Sequence, residues 1–310
     1  MLVTRGFSPG RTADRGSVVA IGNFDGLHLG HQAILEVQAR RAREAGLRSI
    51  VLTFEPHARE YFSPQAPPAR LMRLRDKAEV LARQGVDELR VLRFAAELSA
   101  WDGVQFIERI LDRALQARRV VVGEGFRYGH DRSGDASQLR SVGARFGLQV
   151  DEVPPCTIGG RRVSSTHVRQ ALAAGELREA RLFLGHDYRI SGRVMVGTRL
   201  GRQLGFPTAN IRLHRKVSPV HGIFAVRVSG AGLDRSPAVA SVGTRPTVGG
   251  VERILEVYLF DFDDDLYGRR LAVDFIAKLR DEKYYPDLES MTAQMNLDAR
   301  WARDVLGAKG

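Results

Sequence analysis

The run from Ile21 to Gln32, I-G-N-F-D-G-L-H-L-G-H-Q, constrains the fold more than any other stretch of the chain. It carries a short apolar strand, Val18 to Ile21, directly into a helix that begins near Gly30. A turn of this kind makes a phosphate site. Gly22, Gly26 and Gly30 let backbone approach a bulky anion without Cβ hindrance, and the helix start aims free N–H groups and its positive dipole end at that anion. His28 and His31 face the same place. A neutral imidazole can hydrogen-bond a phosphate oxygen, and an imidazolium adds a full charge as negative charge develops. Gly22 and Gly30 are therefore candidates for nucleotide or phosphate binding, Asn23 and Asp25 share the turn with them, and His28 and His31 are candidate catalytic residues. The plainer alternative is a pair of surface histidines at a helix entry.

Apolar strands then alternate with helical stretches as far as Gly185, which predicts a parallel sheet covered by helices. The strands are expected at Ser17–Ile21, Ser49–Phe54, Glu88–Leu92, Arg119–Val122 and Gln149–Val153. Helical patterns separate them at Gln32–Ala45, Arg75–Gln84, Asp102–Ala117 and Ser137–Phe146, and two short helices follow at Ser165–Ala174 and Leu177–Leu184. In the third pattern Val104, Ile107, Ile110, Leu111 and Leu115 recur at helical spacing, which makes that face core. After Gly185 the texture changes to short β-rich runs broken by Gly, Pro and Asp, as in an antiparallel barrel or sandwich. Strands are expected at Arg189–Val196, Ile223–Val228, Ala238–Val242, Ile254–Phe260 and Arg270–Ile276, closed by an amphipathic helix at Leu288–Leu306. The boundary is placed at about residue 186, giving domains 1–186 and 187–310.

The length of 310 residues suits two such domains. No stretch approaches the ~20 apolar residues of a membrane span, and Met1 to Ser17 lacks the apolar core of a secretory signal, so a cytoplasmic protein is expected. Cys156 is the only cysteine, which excludes an intrachain disulfide and a multi-cysteine zinc site. The net charge of +11 would suit nucleic acid, an anionic surface or a phosphorylated substrate. Its arginines are spread through amphipathic segments, and no nucleic-acid-binding signature accompanies them. A solvated basic surface that steers small phosphorylated substrates is therefore expected, with no nucleic-acid or membrane partner.

Two further segments lie at carboxyl ends of expected strands, where a parallel sheet presents its ligand crevice. In Thr53 to Phe62, the residues Phe54, Pro56 and Phe62 form either a slot for a planar ring or a loop packed on its own core. In Val121 to Asp135, glycines including Gly123 let backbone pass close to a nucleotide, and Arg127 and Arg132 offer forks for phosphate. A mobile surface loop is the alternative there. Ser164, Ser165 and Thr166 put three hydroxyls at a helix start, with Arg169 one turn in. They are ordinary N-caps or a second phosphate-binding helix terminus acting on the anion held by His28 and His31.

Taken together, G-N-F-D-G-L-H-L-G-H, T-F-E-P-H, V-G-E-G-F-R-Y-G and S-S-T-H-V-R resemble the H-x-G-H nucleotidyltransferases, specifically the adenylyltransferase module of the prokaryotic bifunctional riboflavin kinase/FMN adenylyltransferases, also called FAD synthetases. The resemblance implies a Rossmann-like α/β domain that transfers AMP from ATP to FMN. It further implies that Asn23, His28 and His31 bind ATP phosphates, that Ser164, Ser165, Thr166 and Arg169 hold the pyrophosphate side, and that Phe54, Pro56, Phe62 and Tyr128 hold the isoalloxazine ring. Gly125 stands where the family usually has Asn or Asp, and Ala58 replaces a common proline.

The second half resembles the riboflavin kinase module of the same family through Gly192 to Asn210, with a Gly-rich loop and P-T-A-N. Gly197, Gly201 and Gly205 permit a loop over ATP phosphates, Arg199 and Arg202 supply charge, and Thr208 and Asn210 provide oxygen ligands suited to Mg²⁺. The chain lacks a Walker A signature. Glu256 is an acid inside the apolar run Ile254 to Phe260, a costly placement unless the carboxylate is used or paired. It is either an edge-strand residue facing water or the general base for the riboflavin 5′-hydroxyl. Arg280 lies in a family-like segment expected near the flavin. The resemblance spans about Ser17 to Leu306 and implies an enzyme with riboflavin, FMN, FAD and ATP as substrates and products, Mg²⁺ as cofactor and self-association possible. Its rivals are an adenylyltransferase of another mononucleotide and a nucleic-acid-binding protein.

Overall fold

The strand and helix alternation of the first half folds into a six-stranded, wholly parallel sheet. Its strands are β1 (Leu2–Arg5), β2 (Ser17–Ile21), β3 (Arg48–Glu55), β4 (Glu88–Arg93), β5 (Ala117–Gly123) and β6 (Gln149–Val153), in the order β1-β4-β3-β2-β5-β6. Every residue of β2 is buried, because a central parallel strand is covered on both faces and tolerates only a continuous apolar run. From β2 the chain first builds outward through β3 and β4, then crosses back to place β5 on the other side of β2. Strand order therefore reverses between β2 and β5, and the crevice beyond their carboxyl ends is where such sheets take ligands.

The helices of this unit are α1 (Leu29–Ala45), α2 (Ala58–Phe62), α3 (Leu74–Arg83), α4 (Ala96–Ala100), α5 (Gly103–Phe106) and α6 (Ala136–Gly143). A π-helical run, Ile107–Ala114, continues α5, and a short antiparallel pair, β7 (Thr157–Ile158) and β8 (Arg161–Arg162), follows β6. Ile107, Ile110, Leu111 and Leu115 enter the core as their spacing predicts, but Val104 is 37% exposed. The wider winding after Phe106 shifts the inward face, and Phe106 takes the buried place instead.

The computed structural model describes residues 1–8, 16–197, 201, 204–247 and 250–308. They divide into two units: Met1–Pro68 with Arg73–Ser164, and Ala69–Met72 with Ser165–Gly310. The second unit begins with α7 (Ser165–Ala174) and α8 (Leu177–Leu184), the latter stopped by Gly185 in the left-handed region at φ +79°.

An antiparallel barrel follows, with strands β9 (Tyr188–Met195), β10 (Ala209–Arg212), β11 (Gly222–Gly230), β12 (Leu233–Thr247), β13 (Gly250–Leu259) and β14 (Arg270–Arg280), closed in the order β10-β13-β12-β11-β14-β9. Val194, Ile211, Leu255, Val242 and Phe224 alternate inward and fill it. The last helix, α9 (Leu288–Leu306), packs Ala299, Ala302 and Leu306 against the outside with Ala225, Phe260 and Leu279. Ala225 is for that reason as buried as its inward neighbours Phe224 and Val226.

Candidate functional site

β2 ends beside the switch point, and the turn after it delivers both histidines. His28 is the N-cap of α1, and its Nδ1 accepts the His31 backbone N–H at 3.3 Å, the part usually played by Ser or Asp. With Nδ1 accepting, the proton of the neutral ring sits on Nε2. The two imidazoles stack with centroids 3.6 Å apart and planes 17° from parallel. A Cβ on Gly30 would lie 3.3 Å from the His28 ring, so the glycine of H-x-G-H makes room for the imidazole itself. Gly22 ties the turn to β3 by donating its N–H to the Leu52 carbonyl at 3.1 Å. Asn23 is exposed, whereas Asp25 is buried.

At the end of β3 the peptide bond between Glu55 and Pro56 is cis. Phe54 packs on the core of the sheet, while Phe62 is 65% exposed. Both rings meet Phe94 edge-on, at centroid distances of 6.1 and 5.6 Å, and Tyr61 meets it at 5.4 Å. Phe94 follows β4 and lies far from this motif in sequence, so no local pattern singles it out.

Gly123 closes β5, and Arg127 pairs with Asp135 at 3.3 Å. Gly125 has φ +76° with nothing within 4 Å of a built Cβ. Gly and Asn are the residues that tolerate this region, which accounts physically for Gly where the family has Asn. Tyr128 is turned into the core, stacked on Phe126 at 5.7 Å, and its hydroxyl donates to Gln138 Oε1 at 2.9 Å. Burial, and then the Asp135 charge, push this phenol far above its ordinary pKa. The ring of this segment left partly open is Phe126.

Ser164 closes the first unit, and Ser165 and Thr166 form the first turn of α7 in the second. Arg169 donates its Nε to the Ala69 carbonyl at 2.6 Å.

In the barrel Asn210, Glu256, Ser241, Ile223 and Arg280 are successive ladder partners across β10, β13, β12, β11 and β14. Residues directly opposite in a ladder point to the same side. Because Ile211, Leu255, Val242 and Phe224 fill the interior, this rung faces outward. It opens on a cavity of about 230 Å³ between barrel and α9, with Thr208, Ser241, Glu256 and Arg280 on its polar side and Phe206, Ile223, Tyr258, Met291 and Met295 on its apolar side. A second cavity, about 300 Å³, is lined by Gly197, Pro207, Thr208 and Asn210 together with Asp263, Asp264 and Asp265. Thr208 lines both. Gly205 lies two residues before Pro207 at φ +81°, while Arg199 and Arg202 fall outside the described residues.

Arg280 is committed to its neighbours. Its Nε and Nη2 grip the Asp298 carboxylate at 2.9 and 2.6 Å, and Nη1 donates to the Asp281 carbonyl at 2.9 Å. It therefore walls the cavity while clamping α9 to β14. Asp298 escapes sequence reasoning because it lies on a helix face with no motif around it.

The family model for FAD synthetase matches residues 10–167, and that for riboflavin kinase matches residues 184–306. The bifunctional riboflavin kinase/FMN adenylyltransferase of Escherichia coli strain K12 is 44% identical over 94% of this chain and 93% of its own. The chain belongs to the bifunctional riboflavin kinase/FMN adenylyltransferases. Members from Pseudomonas fluorescens and Haemophilus influenzae are 43% and 40% identical, each over 98% of this chain and at least 97% of their own. The crystal structure of a macrolide-efflux protein from Streptococcus pneumoniae superposes with a TM-score of 0.81 over 98% of this chain and 99% of that one, at 29% identity. Among the described residues no helix is long and apolar enough to cross a membrane. As a bifunctional riboflavin kinase/FMN adenylyltransferase, the chain is an enzyme of flavin cofactor biosynthesis, with riboflavin, FMN, FAD and ATP as its substrates and products.

Proposed function

We propose that the two reactions run at separate sites, adenylyl transfer at the β2–α1 turn and riboflavin phosphorylation on the outer rung of the barrel. The observation that carries this reading is the distribution of the chemistry: the stacked histidines stand at the switch point of one unit, and Thr208, Asn210 and Glu256 line adjoining cavities of the other.

In the first reaction a phosphate oxygen of FMN attacks the α-phosphorus of ATP, and pyrophosphate leaves as FAD forms. His28 offers its Nε2–H to a non-bridging α-phosphate oxygen, with Asn23, Gly22 and the N–H groups opening α1 arranged around the triphosphate. Asp25, Gly123 and Arg127 complete the nucleotide side. Phe54, Pro56 and Phe62 hold the flavin ring, with Tyr128 supporting Phe126 from below. No covalent enzyme intermediate is required, because positioning and charge neutralisation suffice for such transfers.

In the second reaction Glu256 takes the proton of the riboflavin 5′-hydroxyl as its oxygen attacks the γ-phosphorus, and ADP leaves. The apolar side of the smaller cavity suits the isoalloxazine ring, and Gly197, Gly205 and Arg202 belong to the nucleotide side. Thr208 and Asn210 fit Mg²⁺ in donor type. Asn210 Nδ2 donates to the Thr208 carbonyl at 3.2 Å, which supports the Oδ1 side of the amide as the one available to a cation, and a Cβ on Gly197 would strike that amide. Among the described residues no group of three or more His, Cys, Asp or Glu could hold a metal alone. Thr208 and Asn210 would hold the ion, which would supply neutralisation of the phosphate charge.

Incubation with riboflavin, ATP and Mg²⁺, resolving FMN, FAD, ADP and pyrophosphate, tests the assignment. Combining His28→Ala with His31→Ala should cut FAD and pyrophosphate formation by about 100- to 1,000-fold and leave FMN and ADP formation intact. Glu256→Gln should suppress FMN formation and spare adenylylation of supplied FMN. Parallel loss of both activities in either variant would contradict separate sites.

A further inference from the structure

Lys77 on α3 is 1% exposed, and none of the chemistry above uses it. Lysine is almost never buried so completely without a partner that repays its desolvation. Its Nζ donates to the Asn23 carbonyl at 2.6 Å and to Thr53 Oγ1 at 3.3 Å. Thr53 Oγ1 in turn donates to the same Asn23 carbonyl at 3.4 Å. One ammonium thus ties together the carboxyl ends of β2 and β3, directly under the turn that carries the histidines.

That turn needs tying. Phe24 and Leu27 both have positive φ, +47° and +45°, where a side chain with a Cβ is strained by roughly 1–2 kcal/mol. Such conformations persist only where surrounding contacts over-determine them. Phe24 is fully buried, its ring lies 5.1 Å from the His31 ring, and His31 stacks on His28. A connected path therefore runs from the Lys77 ammonium through the Asn23 carbonyl and Phe24 to the imidazole pair. The same anchor fixes the backbone of Asn23, whose side chain is left at the surface of the crevice.

We propose that Lys77 is a positioning residue for adenylyl transfer, holding the Asn23 carbonyl so that Phe24 and the His31–His28 stack keep their reactive arrangement. The inference rests on the assignment of adenylyl transfer to the histidine pair. Lys77→Met keeps the length and apolar stem of the side chain and removes the donors. It should lower kcat for conversion of FMN to FAD by about 30-fold or more while KM for FMN stays within about threefold, because misplacement costs transition-state rather than ground-state interactions. Fluorescence titration should still show one FMN bound per adenylyl site, which excludes a mere loss of folded protein, and riboflavin kinase turnover should be unchanged. Thr53→Val removes the two longer contacts, from Lys77 and to the Asn23 carbonyl, while leaving the Lys77–Asn23 bond, and should lower the same kcat by about two- to fivefold, the worth of weak hydrogen bonds.

A Lys77→Met enzyme with kcat within about threefold of the parent, or with the whole effect in KM, would overturn the proposal. If that variant loses FMN binding, Thr53→Val decides, and an unchanged kcat there would overturn the proposal equally. FAD formation surviving in the His28→Ala, His31→Ala control would instead overturn the assignment of the site.

Discussion

Asp298→Asn isolates what the clamp between α9 and the barrel contributes to the cavity proposed for riboflavin. The Asp298 carboxylate is 4% exposed and takes two Arg280 donors at 2.9 and 2.6 Å and Gln294 Nε2 at 3.0 Å. The hydrogen bond to Asp298 comes first among the causes holding the Arg280 guanidinium above its ordinary pKa, against burial, which acts the other way. Asparagine keeps the volume but removes the charge and turns N–H groups toward N–H groups. Breaking a fully buried pair from one side costs about 3–5 kcal/mol. Arg280 is 21% exposed and recovers part of that from water, so about 2–3 kcal/mol is expected. In a unit of this size the loss corresponds to a fall in melting temperature of roughly 5–10 °C. Because Arg280, Asp298, Met291 and Met295 all wall the smaller cavity, loosening the clamp should also raise KM for riboflavin by about tenfold, or roughly 1.4 kcal/mol. Adenylylation of supplied FMN should not change. Urea unfolding and initial rates with riboflavin measure the two effects. Arg280→Met with Asp298→Leu should regain much of the stability but keep the high KM, since the paired charges are gone together with the cavity wall. A single Asp298→Asn variant with stability within about 0.5 kcal/mol of the parent and an unaltered KM would refute the clamp.

Gly125→Asn enters a left-handed position with open space around it, so it should cost no more than about 1 kcal/mol. If the added amide reaches the ligand it should lower KM for FMN or ATP in adenylylation by about two- to tenfold, one hydrogen bond's worth, and initial rates at varied FMN and ATP check this. At low pH, the carboxyl of Asp287, which caps α9 by accepting the Ser290 N–H, and that of Asp281, held by the Lys278 ammonium, both titrate below the ordinary carboxylate range. Their folded values lie below the unfolded ones, so their stabilisation is complete above about pH 3.9 and fades as pH falls through the lowered values. Urea midpoints should therefore show no pH dependence from this pair between pH 5 and 7, where its stabilisation is fully present, and Asp287→Asn should flatten the decline below pH 4. Chelation with EDTA should stop both reactions, and Mg²⁺ should restore both; a kinase indifferent to chelation would remove the metal from Thr208 and Asn210.

What was legible in the chain is what local periodicity and turn chemistry control. β2, β6, α7, α8 and α9 fall where their patterns place them. The helix after β2 begins at Leu29, earlier than the pattern from Gln32 suggests, because an imidazole serves as its N-cap. β1 was invisible: an edge strand pairs with only one neighbour, and Leu2 and Val3 are half exposed. Arg90 holds the chain beyond it through the Gly6 and Ser8 carbonyls, a contact no sequence window contains. β10 hides inside the P-T-A-N motif, which reads as loop chemistry although Asn210 is already a ladder residue. Lys77 lies in the helical pattern Arg75–Gln84 with no motif around it, and the tertiary approach of α3 to the β2 and β3 ends gives it these partners. Arg280 reads in the sequence as a cation in a segment expected near the flavin, and nothing there shows that its donors are taken by Asp298.

The barrel rung explains why the residues proposed for the kinase chemistry are single polar residues in apolar runs. In a closed barrel the period-2 alternation leaves one side chain in two for the outer face, and the interior must be filled by the others. Glu256 between Leu255 and Val257, Ser241 between Ala240 and Val242, and Asn210 between Ala209 and Ile211 are the same positional solution on three neighbouring strands. Directly opposed residues stand about 5 Å apart, so Asn210, Glu256 and Ser241 follow one another around the barrel wall within reach of one bound molecule. A one-residue slip of β13 would turn Glu256 into the packed interior and Leu255 or Val257 out into the cavity. The register that fills the barrel is thus the register that places Glu256, the proposed base, and the fold cannot keep one without the other.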